Sequence, residues 1–260
     1  MSLTNKSPSE TYKDLLYVDN SNSGIDSTKR DLKSGSGTSS SLSVSDRGLT
    51  VKSNTDNTSA FSVTDSGGTD KLIVDTTNDT VKALGLHVNT QYVNFGINNT
   101  SSRTFVADTH YPIPFANGDP PSDIDFGTGT DPATSFTTAD ATDTRAADIV
   151  PMLWYIHDDI TIDEVKCFEG ADAASGDVTR FHLFSYDFTN GSTSCLSNGT
   201  LLARTGIDVN NAGSEQAYLT TLTIDSANVA SGKVVLAFFE SDSINSDYSL
   251  SVNIKYHITG

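Results

Sequence analysis

From Met1 to about Gly85 large apolar residues are so sparse that this third of the chain cannot bury enough surface, as a single copy, to offset the entropy of ordering it. Ser, Thr, Asn, Asp and Gly dominate. The apolar side chains that do occur come in pairs spaced by two: Leu42 and Val44, then Leu49 and Val51; Phe61 and Val63, Leu72 and Val74, and Val81 after them. Period two predicts strands with one apolar face. Between the pairs lie tight turns. SLSVSDRGLTVKS at 41–53 and AFSVTDSGGTDKLIV at 60–74 share the frame Ser-Val-Ser/Thr-Asp-x-Gly, at Ser43–Gly48 and again at Ser62–Gly67. Asp and Gly accept the dihedrals of a hairpin turn, so each copy reads as strand, turn, strand.

A stripe this narrow is too little for a private core, whereas copies from symmetry-related chains can close one around an axis. The segment from Leu42 to Val81 therefore reads as a shaft stabilised by oligomerisation. A flexible linker is the competing reading, favoured locally by the Gly-Ser tract at 33–41. Ahead of the shaft, Tyr12, Leu15, Leu16, Tyr17 and Val18 form the one apolar cluster of the first forty residues, an island suited to docking on another chain or the base of the assembly, with folding back on its own trimer as the competing reading. The organisation expected is a docking arm over 1–40, a β-hairpin shaft over 41–86, and a head over 87–260.

The head has a different character. In YSLSVNIKYHI, Tyr248, Leu250, Val252, Ile254, Tyr256 and Ile258 point one way and the polar residues the other, while KVVLAFF at 233–239 is apolar on both parities, as in a strand covered on both faces. Further strands are expected at 91–97, 103–107, 150–157, 160–168, 177–188, 199–205 and 216–225, with turns at Gly170, Gly176, Asn190-Gly191 and Asn198-Gly199. No amphipathic helix stands out, so the fold expected is all-β, a jelly-roll-like β-sandwich. The segment 115–148 breaks the rhythm and is too long for a passive connection; disordered, packed between subunits, and exposed for binding are its three readings.

Composition removes some functions. With 33 Asp and Glu against 16 Lys and Arg, and a formal net charge of −17, nucleic acid is not an expected partner, because phosphates are bound by clustered cations. No apolar run has membrane length, and the opening MSLTNKSPSETYKD lacks the pattern of a secretory signal, which predicts assembly in a cytosol and no membrane insertion. Cys167 and Cys195 are too few for a disulfide scaffold or a thiolate metal site, and read as buried free thiols, with a bridge between them as the alternative if their Cα atoms lie within about 7 Å. The five histidines show no metal-binding spacing, no nucleophile elbow or phosphate loop occurs, and no cofactor is expected; His182 and His257 read as surface or interface histidines within strands. Partial calcium-loop likenesses at 65–70, 75–79 and 208–213 read as plain turns, the last lacking a closing Glu. Trp154 and Tyr155 are candidate glycan contacts, a stacking platform, set against a core role for a Trp in the apolar run PMLWY.

The segments TYKDLLYVDNSNSGID, SVSDRGLTVKS and FSVTDSGGTDKLIVDTTNDTVKALG resemble the N-terminal and shaft segments of fibre, spike and decoration proteins of tailed, particularly marine, bacteriophages. The head is similar in outline to the β-sandwich knobs that cap such trimers. The resemblance implies a non-enzymatic homotrimer of the virion, assembled in the host cytoplasm and anchored through its N-terminal arm to the major capsid protein or a tail component. Only about two shaft units separate arm from head, which favours a capsid decoration protein (cement or head fibre) over a short tail fibre or adhesin binding a host surface glycan.

Overall fold

The computed structural model describes residues 15–21, 23–98, 105–116, 118, 124–138, 146–171, 177–205, 209–210, 216–242 and 248–259. It divides into two units, Met1–Val88 and Asn89–Gly260. Both are β-structures, and the one short helix among the described residues is Ala146–Ile149.

The first unit consists of two antiparallel four-stranded meanders. One holds β1 (Leu16–Val18), β2 (Arg30–Ser34), β3 (Ser39–Ser45) and β4 (Gly48–Val51), paired in sequence order; the other holds β5 (Phe61–Thr64), β6 (Asp70–Asp75), β7 (Thr80–Ala83) and β8 (Leu86–His87), likewise in order. The repeated frame forms the two hairpins expected of it, with different turns. Ser45 pairs with Gly48, leaving Asp46 and Arg47 as a two-residue loop, whereas Thr64 pairs with Asp70 around a wider turn held by Asp65, whose Oδ1 accepts from the backbone N–H groups of Gly67 and Thr69 at 2.9 Å each. The boundary expected at residue 40 does not separate an arm from a shaft. β1 and β2 pair into the same sheet as the first hairpin, because Arg30 and Asp31 register with Val44 and Ser43.

The second unit adds β9 (Thr90–Ile97), β10 (Tyr111–Ile113), β11 (Trp154–Tyr155), β12 (Ile160–Ala171), β13 (Val178–Phe188), β14 (Leu196–Arg204), β15 (Val209–Asn210), β16 (Gln216–Thr221), β17 (Thr223–Ile224), β18 (Asn228–Val229), β19 (Lys233–Ser241) and β20 (Tyr248–Ile258). One sheet runs β16-β12-β20-β9, with β18 on β12; the other runs β10-β19-β13-β14-β17, with β11 on β19 and β15 on β13. They face each other across a core that includes Phe95, Val165, Cys167, Phe181, Leu183, Ala237, Leu250 and Val252. Odd positions of β19 (Val235, Ala237, Phe239) enter this core; even positions (Val234, Leu236, Phe238) enter a second one on the sheet's outer face. That second core is closed by Ile124, Phe126 and Phe136 from the long connection and by Ile149 and Met152 after it. The described part of 115–148 thus packs a layer on the head's own sheet through Ile124, Phe126 and Phe136, a role the sequence reading did not offer. The two cysteines lie in different cores, both as free thiols.

Asn198 and Gly199, expected as a turn, lie inside β14, and Gly170 lies inside β12. At Gly199 the reason is a close crossing: its N–H donates to the carbonyl of Thr134 at 2.8 Å, and a Cβ there would stand 2.6 Å from Tyr186 Cε1 and 2.8 Å from Thr134 Cα. The span 150–157 opens with a 3-10 turn, Val150–Met152, before the short β11, since Pro151 cannot donate to a ladder. The described residues of 103–107 form no strand.

Candidate functional site

Residues directly opposite one another in an antiparallel ladder share a face. In the first meander the pairs Val18–Leu32, Leu42–Val51 and Val44–Leu49 place the apolar residues of four strands on one side, with Leu16 two positions from Val18 on that side as well. The other side carries Asp31, Lys33, Ser43 and Thr50, tied together by bonds such as Ser43 Oγ to Asp31 Oδ1 at 2.7 Å. The second meander repeats the division. Phe61–Val74, Val63–Leu72, Val74–Val81 and Leu72–Ala83 share a face, opposite Ser62 and Lys82, with Ile73 the one large apolar residue on the polar side. All nine shaft residues singled out in the sequence fall on these two apolar faces.

None of those side chains is buried. No apolar side chain described between Leu15 and Val88 is, and Leu49, Phe61, Val63 and Val81 are exposed. Of the docking cluster, Leu15 and Leu16 are exposed by more than half, Tyr17 sits on the polar side opposite Lys33, Val18 joins the apolar face, and Tyr12 lies outside the described residues.

The turn carboxylates are occupied by their own turns. Asp65 also meets Lys71 Nζ at 2.9 Å, and Asp75 Oδ1 accepts from the N–H groups of Thr77 and Asn78. Hydrogen bonds hold both carboxyls below the usual carboxylate range. Asp208 and residues 211–213 lie outside the described residues.

In the head, His182 and His257 are buried rather than at a surface. His257 Nδ1 lies 3.0 Å from Asp163 Oδ1, where a bulge in β12 between Ile162 and Glu164 swings the acid toward β20. His182 faces the second core and packs edge-on against His110, ring centres 4.9 Å apart. His110 is fully enclosed: its Nε2 is 3.4 Å from the buried Glu240, whose other oxygen accepts from Arg180 at 2.8 Å, and Asp131 lies 3.5 Å from His182 Nε2. The backbone of His110 also exchanges hydrogen bonds with Phe126 and Gly127. This group fastens the covering layer to the sheet. Burial pushes both imidazoles down, His182 to about 4.

Trp154 is a core residue. Its ring stacks parallel to Phe115, centres 6.5 Å apart, and leans on Tyr256 at 5.0 Å. Tyr155 is about half exposed, its ring edge-on to His157. The two tyrosine and tryptophan neighbours nonetheless border one opening, a cleft of about 260 Å³ with Trp154, Ile156, Ile160 and Tyr256 toward the core and Gln91, Tyr155, His157 and Asp158 at its polar edge. None of the described residues of the long connection lines it. Gln91, His157, Asp158 and Tyr256 escape sequence reading because β9, β11 and β20 bring them together; the register of Gln91 opposite Tyr256 is a property of the ladder.

No family model and no curated protein matches the chain. Among solved structures it is similar to that of infectious bursal disease virus Gx strain, with a TM-score of 0.32 and 8% identity over 69% of this chain and 35% of that one. It is similar too to an aminopeptidase from the marine sediment archaeon Thaumarchaeota archaeon, with a TM-score of 0.32 and 10% identity over 73% of this chain and 40% of that one. The chain spans well under half the length of either, and likenesses at this level carry no functional argument. Among the described residues no helix is long and apolar enough to cross a membrane.

Proposed function

We propose that this chain is a non-enzymatic structural protein that assembles as a homotrimer through the apolar faces of its two meanders, and that it serves on the virion of a tailed bacteriophage as a capsid decoration protein of the cement or head-fibre kind. The observation that carries the reading is the sorting of Leu42, Val44, Leu49, Val51, Phe61, Val63, Leu72, Val74 and Val81 onto one face per meander with none of them buried. A lone four-stranded sheet with one uncovered apolar face is marginal in water. Burying each such side chain contributes on the order of 1 kcal/mol or more, so covering both faces by two further copies supplies what the single chain lacks.

The virion assignment rests on the resemblance of the N-terminal segments, and the short shaft favours the shell over the tail. Light scattering on the purified chain is expected to give three times the 27.6 kDa protomer mass. Because a decoration trimer binds only the assembled shell, it stabilises that state by mass action, and particles lacking it are expected to release DNA at a lower temperature. Unchanged thermal release together with lost adsorption to host cells would move the protein to the tail as a short fibre.

A further inference from the structure

The cleft beside β11 has a chemistry that the structural role does not use. We propose that it binds one neutral pyranose ring, the terminal residue of a glycan, with the ring's C–H face against aromatic side chains and its hydroxyls on the polar edge. The proposal stands independently of the trimer. Three features carry it. The first is the aromatic wall: Tyr256 and Trp154 lean together with ring centres 5.0 Å apart, and Tyr155, half exposed, is braced edge-on by His157 at 4.9 Å, so the rings are pre-positioned and lose little freedom on binding.

The second is the polar edge. Among the described residues the side chains of Gln91 and Asp158 make no hydrogen bond or ion pair, whereas the adjacent Asp159 is committed to the fold, its carboxylate accepting from the N–H of Ser231 at 2.7 Å and its carbonyl from Thr259. An amide offers both donor and acceptor and a carboxylate two acceptors, the complement of a vicinal diol. The third is size and charge. About 260 Å³ falls below the roughly 300–1,000 Å³ of sites for drug-sized ligands, which fits a single ring. Among the described residues no Lys or Arg lines the cleft and Asp158 borders it, which disfavours uronic and sialic acids on a chain of net charge −17.

The chain has one tryptophan, and it lines this cleft, so intrinsic fluorescence reports on the site directly. The full-length protein would be titrated with methyl glycosides of neutral hexoses, with methyl glucuronide and sialic acid alongside, and with a neutral oligosaccharide ending in the best hexose. A saturable change in Trp154 emission with a neutral glycoside, matched by saturation-transfer NMR, is expected. Asp158→Asn and Gln91→Leu should each weaken it about tenfold, with thermal melting unchanged. Tyr155→Ala should abolish it. Silence across the neutral panel, binding of the acidic sugars alone, or emission that tracks protein concentration and not sugar, as expected if a second copy fills the cleft, would each overturn the proposal. Failure of the oligosaccharide to bind where the methyl glycoside does would overturn the glycan source.

Discussion

At the scale of single residues, the buried cluster around His110 and His182 sets how the head responds to acid. Burial lowers both imidazoles below their ordinary value, and the groups that face them are Asp131, Glu240, Arg180 and Arg204. The folded state therefore binds fewer protons than the unfolded chain, whose histidines titrate near 6.5. The stability due to neutral His182 is complete above pH of about 6.5 and is lost as pH falls toward about 4, a loss on the order of 3 kcal/mol. Urea denaturation at neutral pH and near pH 4 should show that decline, and His182→Leu should flatten it. An equal decline in the variant would remove the histidine from the account. Tyr186 shows the other outcome for a buried polar group: its hydroxyl donates to the Ala133 carbonyl at 2.8 Å, and burial pushes its ionisation far up.

At the scale of elements, two crossings decide which residues are tolerated. Gly199 lies where β14 passes under Thr134 and Tyr186, and Gly199→Ala puts a methyl within 2.8 Å of backbone, so a loss of about 1–3 kcal/mol is expected in thermal or urea melts. A neutral result would mean that the Thr134 segment yields. In the second meander, Val74 and Ser62 sit on opposite faces of one ladder. Val74→Asp places a charge on the apolar face and should shift the trimer to monomer in sedimentation, while Ser62→Asp on the polar face should leave the mass unchanged. Equal behaviour of the two would sink the assembly reading. The division of faces was legible in the sequence because period two survives from residues to sheet, and β20 shows the same: Tyr248, Leu250, Val252 and Ile254 are buried as their spacing predicts.

At the scale of the whole molecule, the two units differ in self-sufficiency. The head has two closed cores; the first unit has no buried apolar side chain among its described residues. Residues 89–260 expressed alone should therefore fold cooperatively, while residues 1–88 alone should show strand content that depends on protein concentration, measurable by circular dichroism across a dilution series. Concentration-independent structure in the short fragment would mean that it closes its own core.

The sequence by itself determined most of the strands, the hairpin turns of the two meanders and the sides on which their apolar residues lie, because those depend on alternation and turn chemistry within a few neighbours. It also carried a clue that a second layer exists: KVVLAFF is apolar on both parities, so something must cover both faces of β19. Only the tertiary structure decided what covers the outer one. Ile124, Phe126 and Phe136 are scattered among Gly, Asp and Thr, and their role comes from a layer that crosses β13, β14 and β19, joining positions far apart in the chain. The same holds for buried His182 and His257, for glycine in the middle of β14, and for the cleft that sets Gln91 opposite Tyr256 beside Trp154. Each depends on long-range register, which local periodicity does not record.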